Sequence, residues 1–127
     1  AHALPPVEIV SRNEFFDSAA RLDAELVDFY CPVRMESLSP NPAEAEAIRS
    51  EIERAALEVY RAYSVRDLGR IDLIWDGAQA KCFEVDVSPG MTKNSLFPAA
   101  CEAAGLSLPA VMNELVNVAA NRSAFEV

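Results

Sequence analysis

Residues 70–96 read RIDLIWDGAQAKCFEVDVSPGMTKNSL, and the period of two in this stretch decides the fold. Ile71, Leu73 and Trp75 alternate with Arg70 and Asp72. Phe83, Val85 and Val87 alternate with Cys82, Glu84 and Asp86. Such alternation marks two half-buried strands, and Asp76-Gly77 between them marks a tight turn. A two-residue turn would pair Asp72 with Lys81 and set Glu84 and Asp86 on the same face as Leu73, burying charge. A three-residue turn over Asp76-Gly77-Ala78 pairs Trp75 with Gln79, Ile71 with Phe83 and Arg70 with Glu84. The large apolar residues then share one face, and Arg70, Asp72, Cys82, Glu84 and Asp86 share the other. A slip of one residue turns every side chain over, and unpaired charge is too costly to bury. The three-residue turn is therefore expected.

Three carboxylates on one patch, Asp72, Glu84 and Asp86, repel one another unless a cation sits among them. Hard oxygen ligands suit Mg²⁺ or Mn²⁺ better than Zn²⁺. Arg70 beside them is a fixed, forked cation suited to a phosphate or an oxyanion. The same pattern also fits a solvated sheet face laced by cross-strand salt bridges. Beyond the second strand, Ser88-Pro89-Gly90 breaks the pairing. A glycine lets a ligand approach the backbone and offers its N–H to an oxyanion. Asn94-Ser95 is placed to cap a helix over about 95–104, and a helix N-terminus is a ready anion site.

Outward from this stretch, residues 4–10 read as a strand entered through Pro5-Pro6, with Val7 and Ile9 on one face. Residues 11–25 show no clean period. Residues 26–33 read as a strand ended by Pro32. Asn41 as N-cap, Pro42 at N1 and Glu44 at N3 open a helix over about 42–64. Its apolar stripe is Ile48, Ile52, Ala55, Ala56, Val59, Tyr60 and Tyr63. A last helix over about 108–121 carries Val111, Met112, Leu115, Val116 and Ala119 as its core stripe. The expected class is α+β, an antiparallel sheet packed by helices.

The chain has 127 residues, enough for one domain and one core. Its formal charge of −9 argues against a nucleic-acid surface, which would be basic. It fits a cytoplasmic protein, with a solvated acidic face expected on the helix around 43–58. Cys31, Cys82 and Cys101 are odd in number and widely spaced, so neither a disulfide framework nor a zinc site is expected. The only histidine is His2, which removes Ser-His and Cys-His hydrolase chemistry. No apolar run approaches a membrane span, and no signal-peptide pattern opens the chain.

The ordered motifs Arg70-Ile71-Asp72, Phe83-Glu84-Val85-Asp86-Val87-Ser88-Pro89-Gly90-Met91-Thr92 and Asn94-Ser95-Leu96 resemble the C-terminal signature of ATP-grasp ligases. Within these they most resemble the D-alanine–D-alanine ligase family, whose wording is R-x-D, then E-x-N-x-x-P-G-M-T-x-x-S-L. The likeness runs upstream through Leu4–Val10, a Phe16-Asp17 loop and Tyr30-Cys31-Pro32, and downstream through Ala103–Ser107.

The resemblance implies that residues 1–127 form the C-terminal catalytic subdomain of the ATP-grasp fold. The N-terminal substrate domain and the central ATP-binding domain are not among them. It implies ATP and two Mg²⁺ or Mn²⁺ ions as cofactors, with Asp72, Glu84 and Asp86 as metal ligands. Arg70 and the Gly90 N–H would stabilise a tetrahedral oxyanion; Ser95 and Leu96 would hold the carboxylate of the second amino acid. Arg21 stands where the family has a phosphate-binding lysine, in the segment 16–22 that closes over the nucleotide. Leu22 replaces an aromatic there, and Asp86 replaces the family's usual Asn. The implied activity is joining two D-amino acids through an acyl phosphate for peptidoglycan synthesis, with the chain inactive alone. D-lactate or D-serine as acceptor, a homodimer, and a non-catalytic ATP-grasp-derived binding module are the other readings.

Overall fold

The computed structural model describes residues 1–12 and 27–124. The segment 16–22, with Arg21, lies outside the described residues. Prolines lack an N–H and cannot donate to a ladder, so pairing starts after Pro5-Pro6. Strand β1 is Glu8–Ser11 and β2 is Val27–Tyr30, antiparallel, with Glu8 opposite Tyr30 and Ser11 opposite Val27. Both are shorter than the spans of 4–10 and 26–33 expected from sequence. The Pro6 carbonyl still accepts from the Val33 N–H at 2.8 Å, so the two chains stay together past the strand ends. Ile9 is 39% exposed.

A one-turn helix α1, Met35–Leu38, follows, too short to leave a periodic signal in the sequence. Helix α2 spans Pro42–Ala62, two residues short of the expected end. Its start is built as the residues dictate. The Asn41 side chain accepts from the Ala43 and Glu44 amides at 3.0 and 3.3 Å. The capping box is closed indirectly. The buried Ser39 hydroxyl donates to Glu44 at 2.8 Å and accepts from the Asn41 N–H at 3.1 Å. The acidic face of α2 is laced by two arginines, with Arg49 between Glu46 and Glu53 and Arg54 between Glu51 and Glu58. The stripe of α2 is half-buried except at Tyr63, which is 71% exposed beyond the last helical residue.

Strands β3 (Arg70–Trp75) and β4 (Ala80–Asp86) form the second ribbon, packed against α2. Among the described residues the strands thus make two two-stranded antiparallel sheets, where a single sheet was expected. Helices α3 (Leu96–Ala103) and α4 (Leu108–Ala120) close the described chain, bent by 107° across Gly105, which has a φ of 73°. Among the described residues, no single helix is long and apolar enough to cross a membrane. The core holds Val27, Val33, Ala45, Val65, Ala100 and Cys101. On α4, Val111, Met112 and Leu115 are half-buried, but Val116 is 62% exposed and Ala119 is exposed. The expected five-residue core stripe is therefore half realised, because α3 is the main described element against α4.

One partly buried ion pair ties the first ribbon to the following loop. Glu8 accepts from Arg34 Nε and Nη2 at 3.1 and 2.9 Å and from the Arg34 backbone N–H at 3.2 Å. The Arg34 guanidinium also covers the Tyr30 ring at 3.7 Å from its centroid. The hydrogen bond from Arg34 holds the Glu8 carboxyl below its ordinary value of 4.5.

Asn41→Ala is expected to cost about 1 kcal/mol in urea unfolding, and Asn41→Gly only a few tenths. For Glu8 the sign follows from its lowered pKa. The pair's stabilisation is complete above the ordinary carboxyl value and fades as pH falls through the lower folded one. Glu8→Gln should therefore lower the urea midpoint at neutral pH. The gap between variant and wild type should close as the medium is acidified below the ordinary value.

Candidate active site

The turn between β3 and β4 is longer than the three residues expected. Trp75 pairs with Ala80, so the turn is Asp76–Gln79. The Asp76 side chain explains the extra residue: it accepts from the Ala78 and Gln79 amides at 2.9 and 2.8 Å. Its other oxygen meets Lys81 at 2.7 Å. The bond to Lys81 and the two amides hold the Asp76 carboxyl well below the usual range. Gly77 takes the left-handed step, with a φ of 96°.

An even-length turn alone would have put Glu84 and Asp86 on the apolar face. A β-bulge prevents this. The register is Leu73 opposite Cys82, then Asp72 opposite Glu84, which leaves Phe83 as the extra residue. Beyond the bulge Ile71 faces Val85 and Arg70 faces Asp86. The expected sharing of one face by Arg70, Asp72, Glu84 and Asp86 is realised. The expected partners are not: Arg70 lies opposite Asp86 instead of Glu84, and Ile71 opposite Val85 instead of Phe83. Cys82, expected on the polar face, sits across from Leu73. Phe83 and Val87, expected in the core, are 54% and 64% exposed.

The Arg70 guanidinium reaches all three acids. Nε and Nη2 donate to the two Asp72 oxygens at 2.8 and 3.1 Å. Nη2 lies 3.5 Å from Glu84 Oε1, and Nη1 lies 3.4 Å from Asp86 Oδ2. The bond to Asp72, then the charges of Asp72, Asp86 and Glu84, raise the Arg70 pKa and keep it charged. Asp86 Oδ1 also accepts from the Ser88 N–H at 2.9 Å, which fastens the start of the Ser88-Pro89-Gly90 loop. Among the described residues, no three His, Cys, Asp or Glu side chains stand in the arrangement of a metal site. The acids surround a guanidinium, the chain's own cation.

Ser95 occupies the N-cap position of α3, but its side chain does not cap the helix. Its hydroxyl accepts from the Thr92 N–H at 3.1 Å and shares a 2.7 Å hydrogen bond with the Thr92 hydroxyl. The expected capping role is thus replaced by closure of the Thr92–Ser95 turn, where the Ser95 N–H donates to the Thr92 carbonyl at 2.9 Å. Gly90 lies directly against this turn. A Cβ at Gly90 would stand 2.8 Å from the Ser95 hydroxyl oxygen.

These residues meet around one pocket of about 150 Å³ lined by Phe29, Arg70, Pro89, Gly90, Asn94, Ser95, Leu96 and Phe97. It brings together Arg70, Gly90, Ser95 and Leu96, each singled out from the sequence. It also adds Phe29, Asn94 and Phe97 as unforeseen lining. Phe97 adjoins the motif and was within reach of sequence reasoning. Phe29 was not, because it arrives from the other ribbon. Of the cysteines, burial pushes the Cys31 and Cys101 thiols up, while Cys82 is exposed.

Comparison with known proteins is consistent along nearly the whole chain. Residues 1–117 match the family model described as D-ala D-ala ligase C-terminus. The chain is 36% identical over 119 residues to D-alanine–D-alanine ligase of Desulforudis audaxviator, covering 94% of this chain and 36% of that protein. It is 35% identical over 119 residues to the ligase of Pelotomaculum thermopropionicum, covering 92% and 34%. Among solved structures it resembles D-alanine–D-alanine ligase from Bacillus anthracis, with a TM-score of 0.66 and 28% identity, covering 90% of this chain and 34% of that one. The chain thus spans about a third of the length of these relatives. By sequence along its length and by fold, it belongs to the D-alanine–D-alanine ligase C-terminal family.

Proposed function

We propose that this chain supplies the C-terminal catalytic portion of an ATP-dependent carboxylate–amine ligase that joins two D-alanines for peptidoglycan synthesis. One observation carries the reading. Arg70, Gly90, Ser95 and Leu96 line a single pocket, with Asp72, Glu84 and Asp86 gathered behind Arg70. In the proposed reaction a carboxylate oxygen attacks the γ-phosphorus of ATP and ADP leaves. The amine of the second amino acid then attacks the acyl phosphate carbon, and phosphate departs from the tetrahedral intermediate. Such chemistry needs positioning and charge neutralisation more than a protein nucleophile.

Arg70 and the Gly90 N–H are the donors for the developing oxyanion. The first turn of α3, with Ser95 and the Leu96 amide, receives the acceptor's carboxylate. Asp72, Glu84 and Asp86 are all-oxygen donors of the kind Mg²⁺ or Mn²⁺ prefers, and to hold one they would have to turn from Arg70. Bound there, a divalent ion would neutralise phosphate charge. Arg21 would add a cation for the nucleotide phosphates. The 127 residues by themselves are expected not to turn over.

A second reading is a binding module in which the acidic patch only positions Arg70. The guanidinium seated among the three acids favours it. Mn²⁺ titration followed by paramagnetic relaxation separates the two. The ligase reading expects Mn²⁺ binding that Asp72→Ala and Glu84→Ala each weaken at least tenfold, about 1.4 kcal/mol. Mn²⁺ affinity equal in all three proteins would favour the module. ATP-dependent dipeptide formation by the 127 residues alone would overturn the expected inactivity.

Gly90→Ala tests the turn itself. The added methyl would push the Ser95 hydroxyl off Thr92, losing hydrogen bonds with a net worth of about 1 kcal/mol. Hydrogen exchange at the Thr92 amide should speed up in the variant, while the β3–β4 amides keep their protection.

A further inference from the structure

The lining of the proposed ligase pocket is mixed. Arg70, Gly90, Asn94 and Ser95 bring charge and hydrogen-bonding groups, and Phe29, Pro89, Leu96 and Phe97 bring apolar side chains. Phe29 is the unusual member. It projects from β2, opposite Ile9, on a different ribbon from Arg70, and is 50% exposed. A half-exposed phenylalanine beside a polar pocket is poorly used by the fold itself, since it forgoes much of the burial that makes the residue valuable.

Volume narrows what the pocket admits. An apolar cavity of similar volume, roughly 150 Å³, holds benzene, a ligand of about six non-hydrogen atoms. The pocket here is about 150 Å³. An amino acid with a methyl side chain has that size. On the proposed reading the carboxylate goes to Ser95 and the Leu96 amide, which leaves the aromatic lining to meet the side chain.

We infer that Phe29, with Phe97, sets acceptor specificity: both line the pocket and limit it to a small amino acid with a short apolar side chain. This rests on the proposed acceptor role of Ser95 and Leu96. A longer side chain must displace a ring, and a charged one must be desolvated against it. A hydrophobic pocket discriminates about tenfold or more per extra methylene.

The test is side-chain selectivity in the 127-residue chain, read as chemical-shift titrations at the Gly90, Ser95 and Leu96 amides. The probes are D-alanine, D-norvaline and D-glutamate. The wild type is expected to favour D-alanine over D-norvaline at least tenfold. Phe29→Ala is expected to bring the two within about threefold, the ratio being read whatever the change in D-alanine affinity itself. Phe97→Ala gives the same reading if loss of Phe29 unsettles the β1–β2 pair. Unchanged selectivity in a folded Phe29 or Phe97 variant, with D-alanine binding still lost in Arg70→Ala and Ser95→Ala, overturns the inference alone. D-alanine binding that survives Arg70→Ala and Ser95→Ala, or no titration at these amides in the wild type, overturns the acceptor reading and the inference with it.

Discussion

One guanidinium shared by three carboxylates is the constraint on which the site depends. Arg70 finds Asp72 two residues along its own strand, Asp86 directly across the ladder and Glu84 on the diagonal. Such neighbours meet only if all of them project from one face of the ribbon. Without the arginine, three like charges on that face would repel. Without the acids, a charge only 28% exposed would lack compensation. Each therefore makes the other tolerable, and together they fix the orientation of both strands.

The β-bulge at Phe83 makes this arrangement compatible with the turn. Asp76 folds its carboxylate over two amides and closes a four-residue turn, which alone carries the wrong parity. One extra residue in β4 restores it before Glu84 is reached. The cost is paid in apolar contacts, since Phe83 and Val87 stay largely exposed. Together with Val59, Tyr63 and Val65 they line a groove of about 400 Å³ between β4 and the end of α2. Burial energy thus did not choose the register as completely as alternation suggests. Charge pairing on the opposite face and the turn's own hydrogen bonds decided the rest.

This division explains what could be read from the residues and what could not. The facing of Arg70, Asp72, Glu84 and Asp86 was legible, because both the expected and the observed register give these positions the same parity. The partner of each residue was not, because turn length and bulge compensate and alternation cannot separate them. The start of α2 was legible in Asn41-Pro42, but the bridging role of the Ser39 hydroxyl needed three dimensions. At Ser95 the residue type suited a cap, yet Thr92 offered a nearer hydroxyl and amide and took the side chain. The outward face of α4 was misjudged for one reason. Periodicity locates an apolar stripe, but it does not say whether another element lies against it.

The displaced Ser95 side chain also bears on how the pocket receives an anion. A serine that capped α3 would occupy one of the first-turn amides. Bound to Thr92 instead, it leaves those donors to solvent or to a ligand, and it stiffens the turn that carries them. Arg70 is differently placed, because an arriving carboxylate must compete with three acids for its charge. On the proposed reading, the helix terminus is then the first contact for the acceptor. On the same reading Arg70 would become a stronger donor if a divalent cation took up Asp72, Glu84 and Asp86. That order suits an oxyanion that forms after the substrate is bound, since a donor fully engaged in the ground state would favour the substrate as much as the transition state.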